Sequence, residues 1–126
     1  MTGDRTEIAP DGSVVRPLCR TAGGSMARFT FAAGSVSQAV RHRAVEEIWH
    51  VLAGEAEIWL EASPVTAEVT PLGPDVSLVI PSGCAFQVRV STGEPLEVIA
   101  VTMPPWPGDQ EAERVNGIWQ TISSRD

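Results

Sequence analysis

The chain has 126 residues, of which 43% are hydrophobic and 20% are charged, and its formal net charge at pH 7 is −7. This length favours one domain, and this composition is typical of a globular rather than a disordered protein. The negative charge argues against nucleic acid and anionic membranes as partners, and no apolar run approaches the length of a membrane span. Residues 1–10 do not have the pattern of a secretory signal, so we expect a cytoplasmic protein.

Residues 1–15 predict an extended N-terminal arm that packs on the outside of the fold or on a neighbouring subunit. From residue 26 onward, short apolar or alternating runs lie between Gly, Pro and Ser turns, and each run is too short and too β-branched for a helix. Eight strands are predicted, at 26–32, 37–43, 46–53, 56–62, 67–70, 76–80, 85–90 and 96–103. Evenly spaced strands of this kind indicate an all-β barrel or sandwich.

The end of the chain differs from the predicted barrel at 16–105. Three prolines between residues 104 and 107 remove backbone donors and cannot continue a central strand, and an acidic stretch after them favours a short helical turn. We expect Trp106 and Trp119 to pin a C-terminal tail, residues 106–126, to the barrel. Cys19 and Cys84 are too far apart for a CxxC motif, so we predict two free thiols, with Cys84 buried.

Two motifs carry a resemblance to a known family. The first is Gly34-x5-Val40-Arg41-His42-x4-Glu47-x6-Gly54, and the second is Pro81-Ser82-Gly83-x2-Phe86. They resemble the two motifs of the cupin superfamily over residues 34–90, and the chain looks like a small bacterial cupin with a degenerate metal-binding motif. The resemblance implies a single-domain, all-β, cupin-type jelly-roll β-barrel.

Alternation along the strands predicts which side chains face the barrel interior. Residues two apart in a strand share a face, so Val40 lies with His42, and Trp49 lies with Glu47. We predict that His42 and Glu47 are the catalytic residues. The side chains predicted to bind substrate are Gln38, Val40, Trp49, Phe86 and Val88.

The resemblance also implies what became of the metal site. In cupins the places of Val40 and Phe86 normally hold metal-binding histidines, which leaves His42 and Glu47 as two ligands of a set. A catalytic zinc or iron ion generally needs three protein ligands. We expect no cofactor, and the alternative is a divalent metal at His42 and Glu47, completed if Gln38 or Cys84 turns inward.

Without a cation, burial should raise the pKa of Glu47 and create a His–Glu pair that exchanges a proton near neutral pH. Such a pair suits isomerisation, cyclisation, dehydration or related lyase chemistry on a small, largely apolar organic substrate. One alternative is a metal-dependent cupin, either a dioxygenase or a metal-assisted isomerase. A second alternative is a cupin that binds a small molecule without catalysis.

A turn at Gly54-Glu55 predicts a hairpin that pairs His50 with Trp59 on the outer face of the barrel. Apolar groups on an outer face need cover. We therefore expect a homodimer formed by sheet packing, with His50 and Trp59 near the contact.

Overall fold

The computed structural model describes residues 6–122, which form two antiparallel sheets packed face to face. The strands are β1 (Glu7–Ile8), β2 (Val14–Arg20), β3 (Ser25–Phe31), β4 (Val40–His42), β5 (Glu46–Ala53), β6 (Ala56–Ser63), β7 (Thr66–Leu72), β8 (Ser77–Ile80), β9 (Ala85–Val90), β10 (Leu96–Met103) and β11 (Ala112–Arg114). The six-stranded sheet has the order β1-β2-β3-β10-β5-β8, and the five-stranded sheet has the order β11-β4-β9-β6-β7. This jelly-roll arrangement confirms the predicted all-β class.

The core lies between the sheets because the long strands alternate in burial. In β10 every second side chain from Leu96 onward is buried, and in β5 the side chains of Glu47, Trp49 and Val51 point inward while their neighbours point out. The largest fully buried apolar side chains are Trp49, Phe86, Ile58, Ile80, Leu96, Val40, Val45, Val51, Val88 and Val98. No helix within residues 6–122 is long and apolar enough to cross a membrane.

The strand predicted at 37–43 is shorter in the structure, where only Val40–His42 is extended and paired. The backbone N–H of Gln38 donates to the carbonyl oxygen of Asp11, at 3.0 Å, and so it is not part of a ladder. The side chain of Ser37 accepts a hydrogen bond from the N–H of Val88. Ser37 also donates its N–H to the carbonyl oxygen of Val88, at 2.9 Å, and these separate bonds to the arm and to β9 replace the regular ladder that alternation alone predicted.

The predicted hairpin at Gly54 is wrong, because the chain crosses there from one sheet to the other. Strand β5 pairs with β10 and β8, whereas β6 pairs with β9 and β7. Gly54 has a φ of +90°, and a Cβ atom on it would lie 2.2 Å from the carbonyl oxygen of Pro95. His50 therefore faces Ile99 and Ser77 across the sheet and does not pair with Trp59.

The tail crosses the outer face of the five-stranded sheet. A single 3-10 turn, Asp109–Glu111, occupies the acidic stretch, and β11 then pairs with β4. Trp119 packs on a cluster that contains Trp59, with the guanidinium of Arg89 4.5 Å from its ring centroid. Trp59 is thereby buried by its own chain, and it is not available for the subunit contact that we predicted for it.

The N-terminal segment adds two strands that the sequence did not predict. Strand β2 pairs with β3 along its length, and β1 pairs with the start of β2. The predicted boundary at residue 15 falls inside β2, which runs from Val14 to Arg20.

Candidate functional site

A cavity of about 440 Å³ opens between the sheets. Five of the residues predicted from sequence line it: Val40, His42, Glu47, Trp49 and Phe86. The cavity is also lined by residues of β2 and β3, by residues 7–11 and by Trp106. The predicted residues therefore form one wall of the cavity, and the two ends of the chain form much of the rest.

Two residues predicted to bind substrate lie elsewhere. Val88 has no exposed surface and belongs to the apolar core, and Gln38 is half-buried beside the arm. Neither lines the cavity. Strand alternation predicted the inward direction of Val88 correctly, but it cannot say how far along the barrel axis the open space extends.

His42 and Glu47 meet because the chain changes sheets between them. His42 ends β4 in the five-stranded sheet and Glu47 lies near the start of β5 in the other. Nδ1 of His42 is 3.6 Å from Oε1 of Glu47. The connecting loop is fixed by Glu111, whose carboxylate accepts hydrogen bonds from the N–H groups of Ala44 and Val45.

The imidazole of His42 is enclosed by aromatic rings. Its centroid lies 5.3 Å from that of Phe86 and 5.1 Å from that of Trp106, both edge-on. Burial lowers the pKa of His42 from 6.5 to about 4, against the opposing charge of Glu111. The imidazole is therefore neutral at pH 7 and has a nitrogen lone pair that can accept a proton.

Glu47 is affected in the opposite direction. Burial raises the pKa of its carboxyl from 4.5 to about 8, the nearby Asp11 raises it further, and the indole N–H of Trp49 opposes the shift. At pH 7 Glu47 is therefore mostly a neutral carboxylic acid. The cavity thus places a proton donor next to a proton acceptor. Burial favours the neutral form of both groups.

Two polar atoms at this site lack a partner. Among the described residues, the only buried side-chain nitrogen or oxygen atoms without a hydrogen bond are Nδ1 of His42 and Nε1 of Trp49. Both residues line the cavity beside Glu47. A buried polar atom left without a partner costs about 1–3 kcal/mol, and buried polar groups are normally satisfied.

The sequence analysis missed Asp11 as a residue of the cavity. Its Oδ1 accepts hydrogen bonds from the N–H and the hydroxyl of Ser13, at 2.9 and 2.6 Å, and burial raises the pKa of its carboxyl. The run Asp11-Gly12-Ser13 has the composition of a surface turn, so nothing local indicates its place inside the fold. Only the pairing of β1 and β2 with the main sheet brings it there.

The side chains at the two positions where the cupin resemblance implies histidine ligands do not fit a metal. Val40 and Phe86 pair directly across β4 and β9, and their hydrocarbon side chains offer no ligand atom to an ion held by His42 and Glu47. Cys84 is buried and Gln38 is half-buried, and neither lines the cavity, so neither completes the set. Within residues 6–122 no three His, Cys, Asp or Glu side chains are grouped to hold a metal ion.

The fold and the cavity between its sheets define a small jelly-roll protein with an internal binding site. The sequence model of the cupin domain family matches residues 27–102, which is more than half of the chain. The chain belongs to the cupin family.

Solved structures share this fold at low sequence identity. BH2720 from Bacillus halodurans has a TM-score of 0.66 and 16% identity, over 79% of this chain and 76% of that one. KdgF from a Halomonas species has a TM-score of 0.65 and 21% identity, over 79% and 87%. Oxalate decarboxylase from Bacillus subtilis has a TM-score of 0.77 and 12% identity, over 90% of this chain but only 31% of that one.

These similarities establish the fold, but they do not identify a reaction. A comparison with curated proteins gives no match. One barrel supports many unrelated reactions, so the function has to be argued from the side chains in the cavity.

Proposed function

We propose that this cupin catalyses a non-oxidative acid–base step on a small, largely apolar organic substrate. The observation that carries the proposal is the His42–Glu47 pair, 3.6 Å apart and enclosed in a cavity of about 440 Å³. The reaction class is isomerisation, cyclisation, dehydration or related lyase chemistry.

The protonation states support a division of roles. Neutral His42 accepts a proton from a carbon of the substrate, and the carboxylic acid of Glu47 donates a proton to the substrate atom that gains electron density. In the second half of the reaction the imidazolium returns its proton at the same or another carbon, and the carboxylate recovers the proton that it gave. No net charge is created or lost, so the step suits a site that disfavours charge.

The walls of the cavity support an apolar substrate of modest size. The rings of Phe86, Trp106 and Phe29 line it together with Val40, and the two edge-on contacts of His42 leave the pair in an aromatic environment. A cavity of this volume falls in the range of small-molecule sites. The ligand that fits is an organic molecule of modest size.

Hydrogen–deuterium exchange tests the proposal without knowledge of the natural substrate. Small apolar ketones, enones, lactones and acids would be incubated with the protein in D2O after dialysis against a chelator, and deuterium on carbon would be followed by NMR. We expect enzyme-dependent exchange into at least one class, reduced at least 100-fold in His42→Ala and in Glu47→Gln.

A matched variant separates this result from general damage. Glu46 precedes Glu47 on β5 but its side chain is exposed, so Glu46→Gln should exchange at the wild-type rate. Exchange that vanishes on chelation and returns with metal would contradict the proposal and favour the metal-dependent alternative. Tight binding of a ligand with no exchange would favour a non-catalytic binding cupin.

A further inference from the structure

The two unpartnered polar atoms of the cavity specify a chemical feature of its ligand. Nε1 of Trp49 is buried and lies near enough to the Glu47 carboxyl to lower its pKa, but it makes no hydrogen bond of good geometry, and Nδ1 of His42 makes none either. Each belongs to a cavity-lining residue that neighbours Glu47. In the rest of the described chain every other buried side-chain nitrogen or oxygen atom is hydrogen-bonded, so the deficit is confined to this site.

An indole N–H can only donate, so the group that satisfies it must be an acceptor. Trp49 is 1% exposed, and Phe29, Phe31 and Phe86 pack against its ring at centroid distances of 5.7–6.3 Å. The ring cannot swing out to find water without disrupting the core. A well-aligned acceptor for the indole therefore has to enter the cavity, where the nearest polar group is the carboxyl of Glu47 and polar residues of the N-terminal segment also line the wall.

We propose that the substrate is a carbonyl compound whose oxygen is held by the indole N–H of Trp49 and the carboxyl group of Glu47. This inference rests on the proposed acid–base function and adds the substrate class and a second donor. Two donors on one carbonyl oxygen would stabilise the enolate that forms when His42 removes a proton from the adjacent carbon. Protonated amines and hydrocarbons, which offer no acceptor, would leave the indole unpartnered.

The balance of protons is complete with these three residues. The C–H bond next to the carbonyl breaks, and its proton moves to the imidazole of His42. The electron pair forms the C=C bond of the enol, and the carbonyl oxygen takes a proton from Glu47 while it keeps the hydrogen bond from Trp49. Reversal of these steps regenerates the carbonyl compound, and when the imidazolium exchanges its proton with D2O before the reversal, a solvent deuteron is placed on the carbon.

Acetophenone and ethylbenzene test the inference as a matched pair, because they share a ring and differ in the carbonyl oxygen. The four tryptophans give four indole N–H signals in a 1H–15N NMR spectrum, which Phe variants of Trp59, Trp106 and Trp119 assign by elimination. We expect acetophenone to shift the Trp49 signal downfield in the wild-type protein. Ethylbenzene should bind without that shift.

Variants extend the test to affinity. Trp49→Phe keeps an aromatic ring and removes the donor, so it should bind acetophenone about 5- to 10-fold more weakly and ethylbenzene unchanged. Trp106→Phe, the control inside the same cavity, should affect both probes equally. An unshifted Trp49 signal, or equal shifts with both probes, would overturn the inference even if Trp49→Phe fails to fold.

Deuterium exchange at the methyl group of acetophenone separates this inference from the proposed function. Exchange that depends on His42 with no response of the Trp49 signal would uphold the function and overturn the role of the indole. A ketone-specific Trp49 shift with no exchange above background would uphold the binding of the oxygen and overturn the acid–base function.

Discussion

Nδ1 of His42 and Oε1 of Glu47 lie 3.6 Å apart, although the two residues belong to strands of opposite sheets. This separation is slightly longer than a hydrogen bond, so a small movement or one bridging ligand atom is enough to connect the pair. Burial stabilises the neutral form of each group. An acid and a base that are both uncharged can therefore coexist at neutral pH in an apolar cavity.

The exchange reaction should depend on pH as a bell-shaped curve. Its acid limb should lie near pH 4, where His42 becomes protonated, and its alkaline limb near pH 8, where Glu47 loses its proton. Initial exchange rates measured across this range check the prediction, with Glu46→Gln as the control that keeps both limbs. A rate that continues to rise above pH 8 would mean that the carboxylate of Glu47 acts as the base.

Stability should fall with pH because of Glu47. The pKa of Glu47 is 4.5 in the unfolded state and about 8 in the folded state. Between these pH values the folded state binds more protons than the unfolded state, so the free energy of unfolding falls as the pH rises from 4.5 to about 8. The lowered pKa of His42 acts oppositely, with stability lost as pH falls from 6.5 through about 4. Above pH 6.5 His42 is largely neutral in both the folded and the unfolded state, so of these two residues only Glu47 makes stability depend on pH.

Urea unfolding at pH 7 and pH 9 measures this effect. Between these pH values the free energy of unfolding of the wild-type protein should fall by about 1.4 kcal/mol more than that of Glu47→Gln. This difference corresponds to the one pH unit between pH 7 and the folded pKa of Glu47. Glu46→Gln should behave as the wild type. Equal losses in Glu47→Gln and the wild type would show that Glu47 is already ionised in the folded protein at pH 7.

Gln87 should be a main support of the C-terminal tail. Its Nε2 donates to the carbonyl oxygens of Ser37 and Trp119, and its Oε1 accepts from the N–H groups of Ile118 and Trp119, all at 2.8–3.0 Å. A Cβ atom on Gly117 would lie 2.2 Å from that Oε1, so the tail approaches the amide closely.

Gln87→Ala should lower the free energy of unfolding by about 2–4 kcal/mol, because it removes these bonds from a buried position. The tail should loosen over Trp59, with faster hydrogen exchange at Ile118 and Trp119. Gln120→Ala, at an exposed position of the same tail, is the matched control and should change stability by less than about 0.5 kcal/mol. A similarly small change in Gln87→Ala would contradict the assigned role.

The expected homodimer should form through the outer face of the six-stranded sheet. Met26, Val101, Ile48 and Val79 occupy paired positions on four adjacent strands, and Ile48 and Val79 are 42% and 56% exposed. Such a row is apolar surface that sheet packing would cover.

Light scattering should give a dimer mass for the wild type and a monomer mass for Ile48→Glu. Val65→Glu, at an apolar position that is 93% exposed on the β6–β7 turn, should stay dimeric. A monomeric wild type would contradict the expectation.

Local pattern was enough to predict the strands whose alternation is strongest. The predicted bounds of β5, β9 and β10 are confirmed to the residue, because each has one buried and one more exposed face or lies wholly in the core. Strand β2 was missed because nearly all of its side chains are exposed and it contains Pro17. The neighbours of β5 were predicted wrongly because Gly54 serves a crossover between sheets rather than a hairpin.

Local sequence pattern likewise predicted one part of the site and missed another. Motif spacing and alternation predicted that His42, Glu47, Trp49 and Phe86 face one space, and all four line the cavity. Asp11 and the enclosing position of Trp106 depend on contacts between the chain ends and the barrel, which have no local signature. Burial of Glu47 was thus predicted together with the direction of its pKa shift, whereas the contributions of Asp11 and Trp106 to the site became visible only in three dimensions.

The most direct test is the titration of Glu47 itself. Protein labelled with 13C at glutamate carboxyl carbons, assigned with Glu47→Gln, would be followed by NMR from acid to alkaline pH, together with the ring carbons of His42. We predict midpoints near 8 for Glu47 and near 4 for His42, so that acid and base are both neutral at pH 7. A Glu47 carboxyl that is already ionised at about pH 5, close to the ordinary value for glutamate, would contradict the account.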